Sequence, residues 1–109
     1  MKLCIPTLKG FMVLKMEDII ACEAEKNYTI IHLQSNKTVM ASRPLVEYEK
    51  LLESTTFLRV HKTYLINLYH VSEYRRGEGG VAIMSNGLEI EISRRKKDLF
   101  LSTMKDAFH

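Results

Sequence analysis

The chain has 109 residues, 46% of them hydrophobic, and a formal net charge of +3. That length suits one domain over residues 1–109 with a single modest core, and the apolar content excludes a disordered polymer. So mild a charge excludes a polycation, and any case for an anionic partner rests on where Lys and Arg sit.

Leu3 to Leu8 is apolar and stops at Lys9-Gly10, a turn signal, which predicts a first strand. Phe11 to Leu14 predicts a second. Met16-Glu17-Asp18 breaks the run and Ile19 to Ala24 resumes it. Glu25-Lys26-Asn27 is a polar break. Tyr28 to Leu33 is β-branched and aromatic, hence a strand. Ser35-Asn36-Lys37 turns the chain so that Thr38 to Ala41 pairs back. The period then changes. Ser42 is placed to cap a helix, with Pro44 tolerated in its first turn. Leu45, Tyr48, Leu51 and Leu52 share one face at helical spacing, and the helix is expected to stop near Glu53.

Phe57 to Val60 predicts another strand. His61-Lys62-Thr63 interrupts it before Tyr64-Leu65-Ile66. Val71 to Tyr74 and Val81 to Met84 are strands joined through Gly77-Glu78-Gly79-Gly80, which reads as a flexible hairpin tip. It is not a phosphate loop, since no Lys-Ser/Thr follows. Asn86-Gly87 is the strongest hairpin signal in the chain. Leu88, Ile90 and Ile92 alternate with Glu89 and Glu91, giving one buried and one wet face. Ser93 is placed to cap a closing helix whose stripe is Phe100, Leu101, Met104 and Phe108. The expected fold is mainly β: small antiparallel sheets with one short central helix and a C-terminal helix.

Several function classes find no support. Cys4 and Cys22 sit in apolar surroundings and form no C-x-x-C pair, so buried free thiols are expected, with a single disulfide the alternative. His32, His61, His70 and His109 lack ligand spacing, so neither a metal nor another cofactor is implied. No stretch approaches the roughly 18 apolar residues of a membrane span, and Pro6 and Lys9 interrupt any signal-peptide layout; a cytoplasmic protein is the default. No nucleophile, base and orienting group share a local pattern, so no catalytic residue is assigned and an enzyme is not expected.

Two basic clusters remain. Arg59-Val60-His61-Lys62-Thr63 ends one strand, and Arg94-Arg95-Lys96-Lys97 follows another. Each mixes cations with short hydroxyl or amide side chains, which suits a surface that grips phosphate and reaches base edges. On charge alone a solvated rim is the commoner arrangement. The second cluster strains that reading, because a helix start prefers Asp or Glu and four cations there repel its dipole. An external polyanion relieves the repulsion. Tyr28, Tyr64 and Tyr74 lie in apolar runs and read as core or edge residues rather than base-stacking platforms.

These residues occur in a familiar order. Asp18-Ile19-Ile20-x-x-Glu23-Ala24, Asn27-Tyr28-x-x-Ile31-His32, Phe57-x-Arg59-Val60-His61-Lys62-Thr63-Tyr64-Leu65-Ile66-Asn67, Asn86-Gly87 and Ile92-Ser93-Arg94-Arg95 together resemble the LytTR family of bacterial DNA-binding domains. The resemblance covers almost the whole chain. It implies sequence-specific binding of duplex DNA by loops in two successive major grooves. It further implies the output half of a two-component response regulator, promoters with direct repeats, and two copies side by side. A receiver domain would belong to a longer protein, since this pattern does not supply one. Carried over by motif, the base contacts are Asn27, Lys62 and Arg94. Phosphate contacts are expected from Arg43, Arg59, His61, Arg95 and Lys96. Lys62 lacks the planar fork of Arg, whereas Arg94 is suited to a bidentate guanine contact. The rivals are a single-stranded nucleic-acid module and a protein-interaction β module.

Overall fold

Three antiparallel sheets and two helices follow one another in a computed structural model that describes residues 1–109. β1 (Lys2–Thr7) and β2 (Gly10–Lys15) form a hairpin. β3 (Ile19–Glu25), β4 (Tyr28–Leu33), β5 (Thr38–Ala41), β6 (Phe57–Arg59) and β7 (Tyr64–Asn67) build a five-stranded sheet in the order β5-β4-β3-β7-β6. β8 (Val71–Arg75), β9 (Val81–Met84) and β10 (Glu89–Glu91) form a third sheet. α1 (Leu45–Leu51) connects β5 to β6, and α2 (Lys97–Ala107) closes the chain. Single 3-10 turns occupy 16–18, 68–70 and 94–96. The expected mainly β architecture is present.

The five-stranded sheet is covered on both faces. One face meets β1 and α1, burying Leu3, Ile5, Cys22, Ile31, Leu45 and Leu52. The other meets the third sheet and α2, burying Ile20, Ala21, Ile66, Ala82, Ile90 and Phe100. β3 is central, so its apolar run is continuous rather than alternating. Strict alternation would set Ile20 and Ala21 on opposite faces. A register shift between Ile19 and Ala21 resets the parity, and both enter the second core.

Both expected caps fail, for a shared reason. Ser42 does not cap α1: its N–H bonds Pro6 O at 2.9 Å, extending the sheet instead. Pro44 stands in extended conformation at the helix entrance with no side-chain capping bond, and the helix begins after it, since proline disfavours helical conformation at Arg43 before it. Leu52 ends α1, and Ser54 follows at a φ of 61°. Ser93 likewise makes no side-chain cap; its N–H bonds Val60 O at 2.9 Å. Arg94–Lys96 then form a 3-10 turn and the α-helix starts only at Lys97. Phe108 lies beyond the helix and is exposed, outside the expected stripe.

Cys22 is buried, but Cys4 is exposed, on the outer side of β1, contrary to the reading of two buried thiols; both are free. The Asn86-Gly87 hairpin forms as expected, with Gly87 at φ 89° and Leu88 N–H donating to Asn86 Oδ1 at 3.0 Å. The 77–80 segment is pinned rather than a loose tip. Tyr74 Oη donates to Gly79 O, and Ile92 N–H bonds Gly80 O. A Cβ on Gly79 would lie 1.7 Å from Ile92 O, so only glycine admits this approach.

Polar side chains turned inward close one end of the five-stranded sheet. Asn67 is 1% exposed. Its amide donates to Ile19 O at 3.0 Å, and its oxygen accepts from Thr56 Oγ1 and Tyr69 N–H. His70 is buried between Ser85 Oγ and Glu17 O. No helix is long and apolar enough to cross a membrane.

Candidate nucleic-acid interface

Strand direction alone gathers the loops at the other end of this sheet. Glu25 pairs Tyr28 across the β3–β4 turn, Thr29 pairs Ala41 at the end of β5, and Glu23 pairs Tyr64 at the start of β7. The β3–β4 turn, the segment after β5 and the β6–β7 loop therefore share one edge. Lys26 takes the left-handed conformation in the first of these, at φ 55°. Asn27 is thereby released from the turn's geometric demand, and its side chain is exposed.

The β6–β7 loop is closed from within. Val60 N–H bonds Tyr64 O and Tyr64 N–H bonds His61 O, both at 3.1 Å. Thr63 N–H donates to His61 Nδ1. Arg59 turns its guanidinium under the loop. Its Nε donates to His61 O, one terminal nitrogen to Lys62 O and the other to Glu49 Oε1 at 2.7 Å. The pair with Glu49 is largely shielded from solvent, with side chains 20% and 37% exposed. The loop's carbonyls are held inward, and Lys62 stands exposed at its crest.

Two backbone bonds tie this loop to its neighbours. Ala24 N–H donates to Thr63 O at 2.8 Å, fastening it to the strand that leads into Asn27. Ser93 N–H donates to Val60 O, fastening it to the strand that leads into Arg94. His61 and Arg94 consequently line one open cleft of about 330 Å³ with Arg76, Gly77 and Gly79. Its walls are backbone and charged side chains, the cations Arg76 and Arg94 standing with Glu78 and Glu91, rather than an apolar slot.

Of the residues expected from the sequence, Asn27, Lys62, Arg94, Arg95 and Arg43 are exposed, whereas His61 and Lys96 are half-buried. Arg43 is held at this edge because Thr29 Oγ1 donates to its carbonyl at 2.8 Å. Its guanidinium reaches Glu47 at 3.0 Å, a solvent-exposed i,i+4 pair of small energy that an anion can displace. Arg59 departs from the expected pattern, because its donors are committed inside the chain. Asn27, Lys62, Arg94 and Arg95 join none of the chain's ion pairs. Three cations and an amide are thus free to donate outward.

Beneath the edge lies a group whose residues occur in the motif but to which the sequence assigned no site role. His32 Nε2 is 2.8 Å from Glu23 Oε1. The Tyr64 hydroxyl is pushed above its ordinary range, chiefly by burial, then by the Glu23 charge and its hydrogen bond to that carboxylate. Alternation was the available signal, since Glu23, His32 and Tyr64 all project to the second-core side of adjacent strands. Tyr28 is exposed at the edge, while Tyr74 packs its ring 5.6 Å from Phe100.

Comparison with known proteins identifies the family and the fold. The profile of the LytTr DNA-binding domain matches residues 9–105. The transcriptional regulatory protein LytR of Staphylococcus aureus is 32% identical over 84 residues, which is 75% of this chain and 34% of that protein. The transcriptional regulatory protein BtsR of Escherichia coli is 43% identical over 61 residues, 53% of this chain and 24% of that one. The chain thus spans about a third or less of these relatives. A solved LytTr DNA-binding domain from Bacillus cereus has the same fold, with a TM-score of 0.79 at 20% identity, covering 93% of this chain and 94% of that one. The chain belongs to the LytTR family of DNA-binding domains found in transcriptional regulators.

Proposed function

We propose that the loop edge of the five-stranded sheet binds duplex DNA sequence-specifically, and that the domain acts as the output half of a bacterial response regulator in the cytoplasm. The observation that carries this reading is the pair of backbone bonds from Thr63 O and Val60 O, which join three loops into one edge. Five strands at about 4.8 Å spacing make that edge about 19 Å wide, enough to enter a major groove about 12 Å across and flank it with phosphate contacts. Asn27 and Arg94 read base edges, and Lys62 donates to guanine or to phosphate. Arg43, His61, Arg95 and Lys96 meet the backbone. Arg59 acts as a positioning residue, since it holds the carbonyls of His61 and Lys62 away from the DNA.

The domain works by binding rather than by catalysis. Direct repeats in the promoter would seat two copies side by side, and a receiver domain in the full-length protein would govern their occupancy. Selecting bound fragments from the source genome provides the operator. Arg94→Ala should then weaken operator binding by about 1–3 kcal/mol with an unchanged melting temperature. Binding should also weaken steeply with salt, and loss of one phosphate-contacting lysine should lower the log–log slope by about one. An unchanged affinity for Arg94→Ala removes the base-contact role. Equal competition by single strands of the same sequence removes the duplex.

A further inference from the structure

β2 is an edge strand with nothing on its outer side. It pairs with β1 alone, and its neighbour on the far side of β1 is β5. Met16 N–H bonds Met1 O, and the register continues through Leu3 with Leu14, Ile5 with Met12 and Thr7 with Gly10. Antiparallel ladders alternate between pairs that exchange hydrogen bonds and pairs that do not. Phe11, Val13 and Lys15 therefore turn their N–H and C=O groups outward, away from β1. Their side chains, with those of Cys4 and Pro6 opposite, form the outer face of the hairpin. Phe11 is 67% exposed and Val13 55%. Natural edges of this kind are usually shortened, bulged, covered or guarded by lysine; this one is unbulged, largely apolar and six residues long, with Lys15 at its end.

Within the hairpin the charge is one-signed, although Glu17, paired with the N-terminal ammonium, and Glu47, beside Cys4 and Pro6, stand next to it. Residues 1–15 contain Lys2, Lys9 and Lys15 and no carboxylate. Lys2 and Lys15 face each other across the ladder at one end, and Lys9 stands at the tip of the hairpin. A second copy of this chain fits poorly. Two-fold antiparallel pairing of β2 with itself sets Lys9 of one copy opposite or diagonal to Lys15 of the other, and like charges so placed repel.

We propose that β2 is a docking edge for an extended, acidic and apolar segment of a partner protein, which adds to the hairpin as a third strand. The outward amides supply the main-chain bonds, Phe11 and Val13 the apolar contact, and Lys15 and Lys9 the selection for carboxylates. Pro6 O is bonded to Ser42 N–H beside Arg43, so the hairpin tip lies next to the loop edge. Lys15 lies at the opposite end of the strand, so a segment docked along β2 runs from the far end of the hairpin towards the loop edge. This surface stands whether or not the loop edge binds DNA.

The test uses the 109-residue domain, with two capped synthetic peptides as probes: one alternating Val and Glu, the other alternating Val and Lys. Titration is followed by backbone-amide NMR. With the Glu peptide, shift changes and slowed hydrogen exchange should concentrate at Phe11, Val13 and Lys15, and the Lys peptide should bind at least tenfold more weakly, roughly the worth of two or three rim charges. Val13→Pro removes an outward donor that no internal bond uses, and it should weaken the Glu peptide by about tenfold, near the net worth of one hydrogen bond with its neighbours. Lys15→Glu, which leaves the ladder intact, should reduce the preference between the peptides. Three outcomes overturn the proposal: shifts that fall elsewhere, equal binding of the two peptides, or concentration-dependent dimers protected along β2.

Discussion

The two ends of the five-stranded sheet use the same kinds of side chain to opposite purposes. Asn67 closes one end, buried, with its amide and its oxygen both bonded inside the chain. Asn27 crowns the other end, exposed, after Lys26 has taken the strained backbone position. His70 is locked between Ser85 and Glu17 O at the closed end, whereas His61 shapes a loop at the open one. Residue type does not separate a group satisfied inside the fold from one left open to solvent here. What separates them is whether the chain satisfies the donors itself.

Substitutions at matched positions break that contrast most sharply. Asn67→Leu leaves Ile19 O and Tyr69 N–H without a partner, and we expect it to cost about 3 kcal/mol in urea unfolding, with normal operator affinity in the protein that remains folded. Next comes alkaline pH, which probes the strand joining both ends. Burial pushes the Cys22 thiol from 9.0 up to about 12. Below about pH 9 the thiol is protonated in both states and stability is flat. Above it the unfolded thiol ionises first, so stability should fall by up to about 1.4 kcal/mol per pH unit until the folded thiol also ionises. Unfolding midpoints at about pH 8 and about pH 10 measure the slope, and Cys22→Ala should flatten it.

Arg59→Met should cost about 1 kcal/mol of stability, because its ion pair is partly shielded. It should also speed amide exchange at Tyr64 and weaken operator binding, though Arg59 itself faces inward. The smallest effect on stability is expected for Asn27→Ala, within about 0.5 kcal/mol. Its effect should fall on operator affinity instead, measured by gel shift. A stability loss at Asn27 equal to that at Asn67 would erase the distinction between the two ends.

Much of the fold was legible in the residues. Period-2 runs placed the strands, and Asn86-Gly87 placed a hairpin, because these signals are local. The helix starts were not legible at Ser42 and Ser93. Both residues are hydrogen-bonded through their backbone to distant segments, Pro6 and Val60, and no local pattern carries that information. Cys4 looks buried among apolar neighbours, yet it lies on the outer side of an edge hairpin. Motif order brought Asn27, Lys62 and Arg94 to notice, but what places them near one another is the antiparallel register of β3 with β4 and β7 and the bond from Ser93 N–H to Val60 O. Arg59 was read as a surface cation because the partner that captures it, Glu49, lies ten residues away on α1.

The loop edge is assembled by main-chain bonds from Thr63 O and Val60 O, with Arg59 and His61 bracing it, so its shape does not depend on the side chains of Asn27, Lys62 and Arg94. If that edge reads DNA as proposed, a change at Asn27, Lys62 or Arg94 would alter what is recognised without disturbing where recognition happens. Such a scaffold would let the recognised sequence change one point substitution at a time, with folding held constant throughout.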